Sequence, residues 1–304
     1  MPIQTYGGLT AENKTFYERT LLERLLPDLV YQKFGQKKTA PKREGDTINF
    51  RRFENLTPNT TPLQEGVTPI ANNLTITPLN ATVAQYGDWI ELSDKLDMVG
   101  IDPVLTETAD LLGESASKVI DTIIRDVVVA GTNVQYAGGK VSKSAISATD
   151  KITGEEIKKA VKTLKNANAK RINGYYIGII DPSVSYDIQS DPLWQDVSKY
   201  NGGQEIMKGE IGKIHGVRFI ETTNTKVEDN GTVNVHSTMI IGKDAYGVCD
   251  IEGSSKPKMI IKDFGSAGTA DPLDQRATAG YKLMMTAIRL QELAMIRIES
   301  AVTE

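Results

Sequence analysis

Thr47-Ile48-Asn49-Phe50-Arg51-Arg52-Phe53 and Leu79-Asn80-Ala81-Thr82-Val83, with residues 54–78 between them, are the stretch on which the fold of this 304-residue chain turns. The two ends alternate apolar and polar residues, as half-exposed strands do. The interval holds Pro58, Pro62, Pro69 and Pro78 among threonines and asparagines, with almost no core-forming residue. Structureless connections of that length are uncommon in compact domains and are usually functional or disordered. A hairpin made from this region could reach up to roughly 75 Å at about 3.3 Å per residue. A compact chain of this size has a radius of gyration of only about 19 Å. Such an arm overshoots its own body, so it either lies on a neighbouring subunit or is a solvated surface insertion.

Upstream, residues 10–26 read as an amphipathic helix, with Thr10 as cap, Phe16, Tyr17, Leu21, Leu22, Leu25 and Leu26 apolar, and Pro27 ending it. Lys37, Lys38, Lys42 and Arg43 then form a basic connector. Downstream, the second strand continues toward Trp89-Ile90-Glu91-Leu92. A long helix follows over 102–130, opened by Asp102 and Pro103 and closed by Gly131. Leu105, Ala109, Leu112, Ala116, Val119, Ile123 and Val127 repeat at steps of four and three and define one face. Glu107, Asp110, Glu114, Lys118, Asp121 and Arg125 lie elsewhere, so this helix of about 42 Å should cross a sheet with one side open.

Thr153 and Glu156 have capping-box spacing ahead of Ile157, Ala160, Val161 and Leu164. Lys158, Lys159, Lys162 and Lys165, with Lys170 and Arg171 beyond, make the most basic local surface. Solvation of the helix C-terminus is the plain reading and nucleic-acid contact the alternative. Residues 175–180 read as a buried strand, and Asp181-Pro182 and Asp191-Pro192 as helix openings. Strand-like pieces follow at 217–221, 233–235 and 239–241, with a hairpin turn at Glu228-Asp229-Asn230-Gly231. The run 281–298 fits both a period of two and the helical spacing Leu283, Ala287, Leu290, Ala294.

Composition excludes several classes. With 39% hydrophobic and 24% charged residues the chain has the balance of a soluble globular protein, and its net charge of −4 argues against a dedicated nucleic-acid binder. A single cysteine, Cys249, excludes an intrachain disulfide or a Cys-rich metal site. The charged residues Glu12, Lys14, Glu18, Arg19, Glu23 and Arg24 interrupt any signal-peptide core, and no apolar run is long enough for a bilayer. An unexported, soluble protein with no membrane contact is expected. His215 and His236 sit in no metal-ligand spacing. Gly138-Gly139-Lys140 lacks the Ser/Thr and first glycine of a phosphate loop, and Gly209-Glu210-Ile211-Gly212-Lys213 fails similarly. No catalytic residue, cofactor or metal is expected.

The ordered parts resemble the major capsid proteins of tailed bacteriophages, in the branch related to the coat protein of phage N-four. The resemblance covers nearly the whole chain. It is carried by Phe34-Gly35-Gln36, residues 48–54 and 61–69, Gln85-Tyr86-Gly87-Asp88, Ala130-Gly131-Thr132-Asn133, Gly242-Lys243-Asp244-Ala245-Tyr246-Gly247 and Asp271-Pro272-Leu273-Asp274-Gln275-Arg276, in this order and spacing. It implies an α+β fold of the Hong Kong 97 type. The N-terminal arm would be residues 1–44, the extended E-loop hairpin 45–92, and the P-domain 93–172 with its spine helix at 102–130. The A-domain would be about 173–250, and 251–304 would return to the P-domain, with 280–298 as a strand.

The resemblance further implies self-assembly into hexamers and pentamers of an icosahedral head shell around double-stranded DNA, bound without sequence specificity. The implied location is the virion, after assembly in the host cytoplasm. Partners would be other copies, a portal protein, and a separate scaffolding protein, since the chain starts close to its arm, or a decoration protein. No lysine lies between Lys42 and Lys95, so an isopeptide crosslink from this E-loop is not expected. Arg51, Arg52, Glu54 and Glu65 are the expected intersubunit contacts. An encapsulin-like compartment shell is the alternative on the same fold, and a soluble enzyme of mixed fold is the alternative outside it.

Overall fold

The computed structural model describes residues 30–43, 45–66, 68, 71–99, 104–191, 212–252, 256–266, 268 and 271–303. The expected helix over 10–26, the Asp102-Pro103 opening, the helix expected from Pro192 onward and residues 209–211 lie outside them. The hairpin and the long helix come first, as β1 (Gln36–Ala40), β2 (Thr47–Phe53), β3 (Ile76–Thr82), β4 (Ala84–Ser93), α1 (Asp94–Val99) and α2 (Val104–Val129). Then follow β5 (Val134–Tyr136), α3 (Gly154–Asn166), β6 (Tyr176–Ile180), α4 (Pro182–Ser190), β7 (Lys213–Ile214), β8 (Val217–Glu221), β9 (Val227–Asp229) and β10 (Asn234–Ile241). The chain closes with β11 (Tyr246–Ile251), β12 (Lys258–Lys262), β13 (Arg276–Arg289) and β14 (Met295–Ser300).

Burial with a period of two makes β13 the axis of a five-stranded sheet: Ala277, Ala279, Tyr281, Leu283, Met285 and Ala287 all point inward. Its one edge pairs with β4, and its other edge with β12 and then β11, which β1 extends in parallel. The ambiguous run 281–298 is therefore strand, but not one strand. After a break it resumes as β14 in a second sheet ordered β5-β14-β10-β6-β8-β7, where β9 also pairs with β10. The pieces expected at 233–235 and 239–241 are likewise a single strand, β10, running through buried His236, Ser237 and Thr238. Pairing along both edges carries the backbone past these polar side chains.

Helix α2 packs on β13, and its apolar face joins both sheets in one core with Ile177, Ile179, Met239 and Ile241. Ala109, Leu112 and Ala116 are buried as expected. Beyond them the buried row is Ile120, Ile124 and Val128, while Val119, Ile123 and Val127 sit half-buried beside it. Both rows belong to one wide face, since adjacent residues lie only about 100° apart on a helix of 3.6 residues per turn. Packing selects the centre of that face. The opposite face of the second sheet is covered by α3 and α4 through Ile157, Leu164, Val184 and Ile188. Thr153 accepts from the Glu156 amide at 3.4 Å, and Asp181 from the Ser183 amide at 3.0 Å, so both expected caps form.

One quoted motif, Gly242 to Gly247, begins where the chain passes between the sheets. Residues 242–245 lead from β10 to β11 and residues 290–294 lead from β13 to β14. The two links bond to each other: Gly242 N to Ala294 O at 2.7 Å, and Leu290 N and Gln291 N to Ala245 O at 2.9 and 3.0 Å. A Cβ on Gly242 would lie 2.9 Å from Lys170 O and 3.0 Å from Ala294 O, so only glycine fits. The C-terminus of α2 ends on this crossing, where Arg289 Nη1 donates to Val127 O at 3.0 Å and Arg297 to Val129 O. These guanidinium groups satisfy carbonyls that the helix leaves unpaired.

Asp121 departs from the expected polar side of α2 and is only 2% exposed. Its Oδ1 accepts the amides of Val30 and Tyr31 at 3.2 and 2.9 Å, and its Oδ2 accepts Asn224 Nδ2 at 3.1 Å. The entering backbone needs acceptors once Tyr31 is buried, and Tyr246 Oη donates to the Tyr31 carbonyl. Asp121→Ala should therefore lower stability by about 1–3 kcal/mol in a denaturant titration, and Asp121→Asn, which keeps an acceptor for both amides, by less. Burial holds the Asp121 carboxyl above its ordinary value of 3.8 despite these bonds. The native state thus binds the proton more tightly. Its contribution is full below 3.8 and is lost as pH rises through the folded value, a slope that Asp121→Asn should remove.

Candidate functional site

Strands β2 and β3 pair antiparallel from Thr47 opposite Thr82 to Phe53 opposite Ile76, so the two ends quoted first do form a hairpin. An isolated two-stranded hairpin is marginal in water, and this one is anchored at its root. Ile48, Phe50 and Ala81 are buried with Cys249 and Leu290. Phe50 lies on Gly247, where an added Cβ would come within 2.8 Å of the ring. The Lys38 ammonium stands 4.8 Å from the centre of the Phe50 ring and donates to Asn49 O. Burial pushes the Cys249 thiol up to about 11, so it behaves as a small core residue.

Arg52 ties the root to the body by donating to Leu290 O at 3.3 Å. The same guanidinium holds Glu54 Oε1 at 2.9 and 3.1 Å, and Thr77 Oγ1 donates to that oxygen at 2.8 Å. Thr77 and then Arg52 hold the Glu54 carboxyl below its ordinary range. Of the four residues expected at intersubunit contacts, the structure joins Arg52 and Glu54 to each other. Arg51 is exposed, as is Glu65 beside the turn at Gly66, and neither has an ion pair among the described residues. Lys38, Thr77 and the Leu290 carbonyl were not anticipated. Thr77 lies directly opposite Arg52, a signal visible once the hairpin register is drawn.

Past Phe53 the hairpin leaves the body. Phe53, Leu56, Leu63, Leu74 and Ile76 are between 45% and 74% exposed. Large apolar side chains left this exposed along one segment make it a candidate interaction surface. A second apolar surface lies on the uncovered face of the five-stranded sheet, where Trp89, Gly280 and Ile260 stand in one row across three strands. Trp89 is 62% exposed beside a groove of about 590 Å³, and Gly280 is required there because a Cβ would sit 2.8 Å from Trp89 Cβ. His236 is buried with Nδ1 3.4 Å from Asp181, and Lys140 of the glycine-rich stretch lies 3.6 Å from Asp150. Among the described residues no group of three or more His, Cys, Asp or Glu is placed to hold a metal, and no helix is long and apolar enough to cross a membrane.

The family model for phage capsid protein matches residues 76–298. The chain belongs to the phage capsid protein family. No curated protein sequence matches it. Its fold is similar to the capsid of Ralstonia phage GP4, with a TM-score of 0.71, 14% identity, and coverage of 91% of this chain and 92% of that one. It is also similar to the acidic stable capsid structure of Helicobacter pylori bacteriophage KHP30, with a TM-score of 0.69, 12% identity and coverage of 88% and 87%. For the capsid of cyanophage P-SCSP1u the TM-score is 0.66, with 14% identity and coverage of 90% and 89%. The chain is thus a phage capsid protein of the Hong Kong 97 type, which forms the virion's head shell, and the encapsulin reading is not favoured. The family is structural and not a class of enzymes.

The Arg52–Glu54–Thr77 lock should respond to acid. Because the folded Glu54 value is depressed, its stabilisation of the root is complete above 4.5 and is lost as pH falls through the folded value. Amide hydrogen exchange of residues 47–53 and 76–82, corrected for intrinsic rates, should accelerate across that window. In Glu54→Gln the faster exchange should already be present at neutral pH.

Proposed function

We propose that copies of this protein assemble as hexamers and pentamers into an icosahedral shell around double-stranded DNA, each hairpin lying on a neighbouring subunit. The observation that carries this is the segment from Phe53 to Ile76, which extends from a fixed root and leaves Phe53, Leu56, Leu63, Leu74 and Ile76 exposed. Residues 1–44 act as the arm, 45–92 as the E-loop, 93–172 as the P-domain with α2 as its spine, 173–250 as the A-domain, and 251–304 as the return to the P-domain. Arg51 and Glu65 are free to reach a neighbour, and Arg52 and Glu54 present their locked pair to it. Each exposed pair is weak, but the contact recurs at every copy of the shell. With no lysine between Lys42 and Lys95, the contact is noncovalent.

Identical subunits in hexamers and pentamers meet at different angles, and the proline- and threonine-rich interval 54–75 absorbs the difference while the root stays constant. Helix α2 carries Glu107, Asp110, Glu114, Asp121 and Asp126 against Lys118 and Arg125, a local net of −3 that becomes −2 without the buried Asp121. Facing the genome, such a surface repels phosphate weakly and lets DNA pack without sticking or sequence preference. A portal protein, and a scaffolding or decoration protein, complete the particle, which assembles in the host cytoplasm. Replacing residues 55–74 by a short Gly-Ser turn tests the reading through light scattering and negative-stain imaging. The expected outcome is an unchanged melting temperature with no closed shells. Uniform closed shells from this variant would overturn it.

A further inference from the structure

The basic surface singled out on α3 gains members that sequence distance concealed. Strands β7 and β8 form a tight hairpin at the end of the second sheet, turning through His215 and Gly216. In this hairpin Lys213 stands directly opposite Arg218, and both are exposed. Like charges directly opposite each other destabilise a strand pair, so local stability does not account for them. Arg171 reaches the same turn, its Nη2 within 3.9 Å of the Cβ position of Gly216. Lys158 of α3 is close enough to His215 to help burial hold that imidazole below its ordinary value. The turn is itself constrained, since His215 has a φ of 49°, in the region that favours glycine.

Among the described residues Lys158, Arg171, Lys213 and Arg218 have no carboxylate ion pair. The acid nearest in charge terms, Asp191, is engaged in accepting the Gly154 amide at 2.7 Å. Cross-strand register places Lys213 and Arg218 on the face shared with Ile177, whereas Lys158 and Arg171 approach from the face covered by α3. The positive charge therefore wraps around the end of the sheet. On a chain of net charge −4 these four exposed cations make a local positive patch that complements an anionic partner.

We propose that this sheet end, centred on the His215–Gly216 turn, is a docking site for an extended acidic polypeptide segment of a partner protein. One observation favours a peptide over nucleic acid. The aromatic faces at the site are already occupied: Lys213 sits 4.4 Å from the Tyr175 ring centre, and Tyr176 is buried with Arg171 5.5 Å from its ring. Neither ring is free for the base stacking that single-strand binding uses. Guanidinium groups from Arg171 and Arg218 match carboxylates two bonds at a time.

The test measures fluorescence anisotropy of a labelled oligoglutamate peptide and of a single-stranded oligonucleotide of equal charge, each titrated with the full chain at several salt concentrations. Oligoglutamate should bind in a salt-sensitive way, and Lys213→Glu with Arg218→Glu should weaken it by about tenfold or more. Lys258→Glu with Lys262→Glu, the same charge change on the other sheet, should leave it within about twofold. Equal losses in both double variants would reduce the effect to net charge and overturn the proposal. Tighter binding of the oligonucleotide would overturn it in favour of a nucleic-acid contact. If the reversal variant melts early, Lys213→Gln with Arg218→Gln decides the matter by the same comparison. Shell formation by the charge-reversal variant is imaged in parallel: if closed shells are lost, the site faces another copy of this chain and the proposal is overturned, whereas the hairpin reading is judged by the 55–74 replacement alone.

Discussion

Everything in this subunit hangs on the pair of links that carry the chain between its two sheets. Residues 242–245 and 290–294 bond to one another through Gly242, Ala245, Leu290, Gln291 and Ala294, so neither sheet can shift without breaking backbone hydrogen bonds of the other. The C-terminal carbonyls of α2 are satisfied by Arg289 and Arg297, which flank the same crossing. The hairpin root rests there as well, since Leu290 packs against Ile48 and Phe50 while its carbonyl receives Arg52. Removing the glycine at 242 or 247 would drive a Cβ into backbone or into the Phe50 ring. The quoted glycine motif is thus a packing requirement at one place in the fold.

A rigid body with one fixed root explains how an extended arm can serve a shell. Three buried side chains and the Arg52–Glu54–Thr77 lock hold the hairpin's direction, and among the described residues from Phe53 to Ile76 none is buried. Surface that would be a liability on a monomer becomes interface in an assembly of identical copies. Charge is divided in a similar way. The cations at the sheet end and the acids along α2 lie on different elements.

Local signals were readable from the residues alone. Proline and threonine punctuation exposed the hairpin, Asp181-Pro182 and Thr153 announced α4 and α3, and uninterrupted helical spacing announced α2. Each depends on neighbours within a few positions, where short-range sterics and capping act. What stayed illegible depends on distant partners. Asp121 reads as a solvent residue until the Val30 and Tyr31 amides arrive from ninety positions away. The split of the final run into β13 and β14 needs two sheets to be visible at once, as does the continuity of β10 through His236-Ser237-Thr238.

Residue order alone establishes helices α2, α3 and α4, the strand-like ends of the hairpin with a proline- and threonine-rich interval between them, the lack of a lysine along it, and a family resemblance strong enough to imply a capsid. Tertiary structure alone decided which helix row is buried, which charges are locked at the root, and that Lys158, Arg171, Lys213 and Arg218 share one sheet end. The physical reason is the range of the forces involved. Propensity, capping and turn chemistry are settled within one or two turns of chain, whereas burial and charge environment are properties of whichever segments the fold brings together.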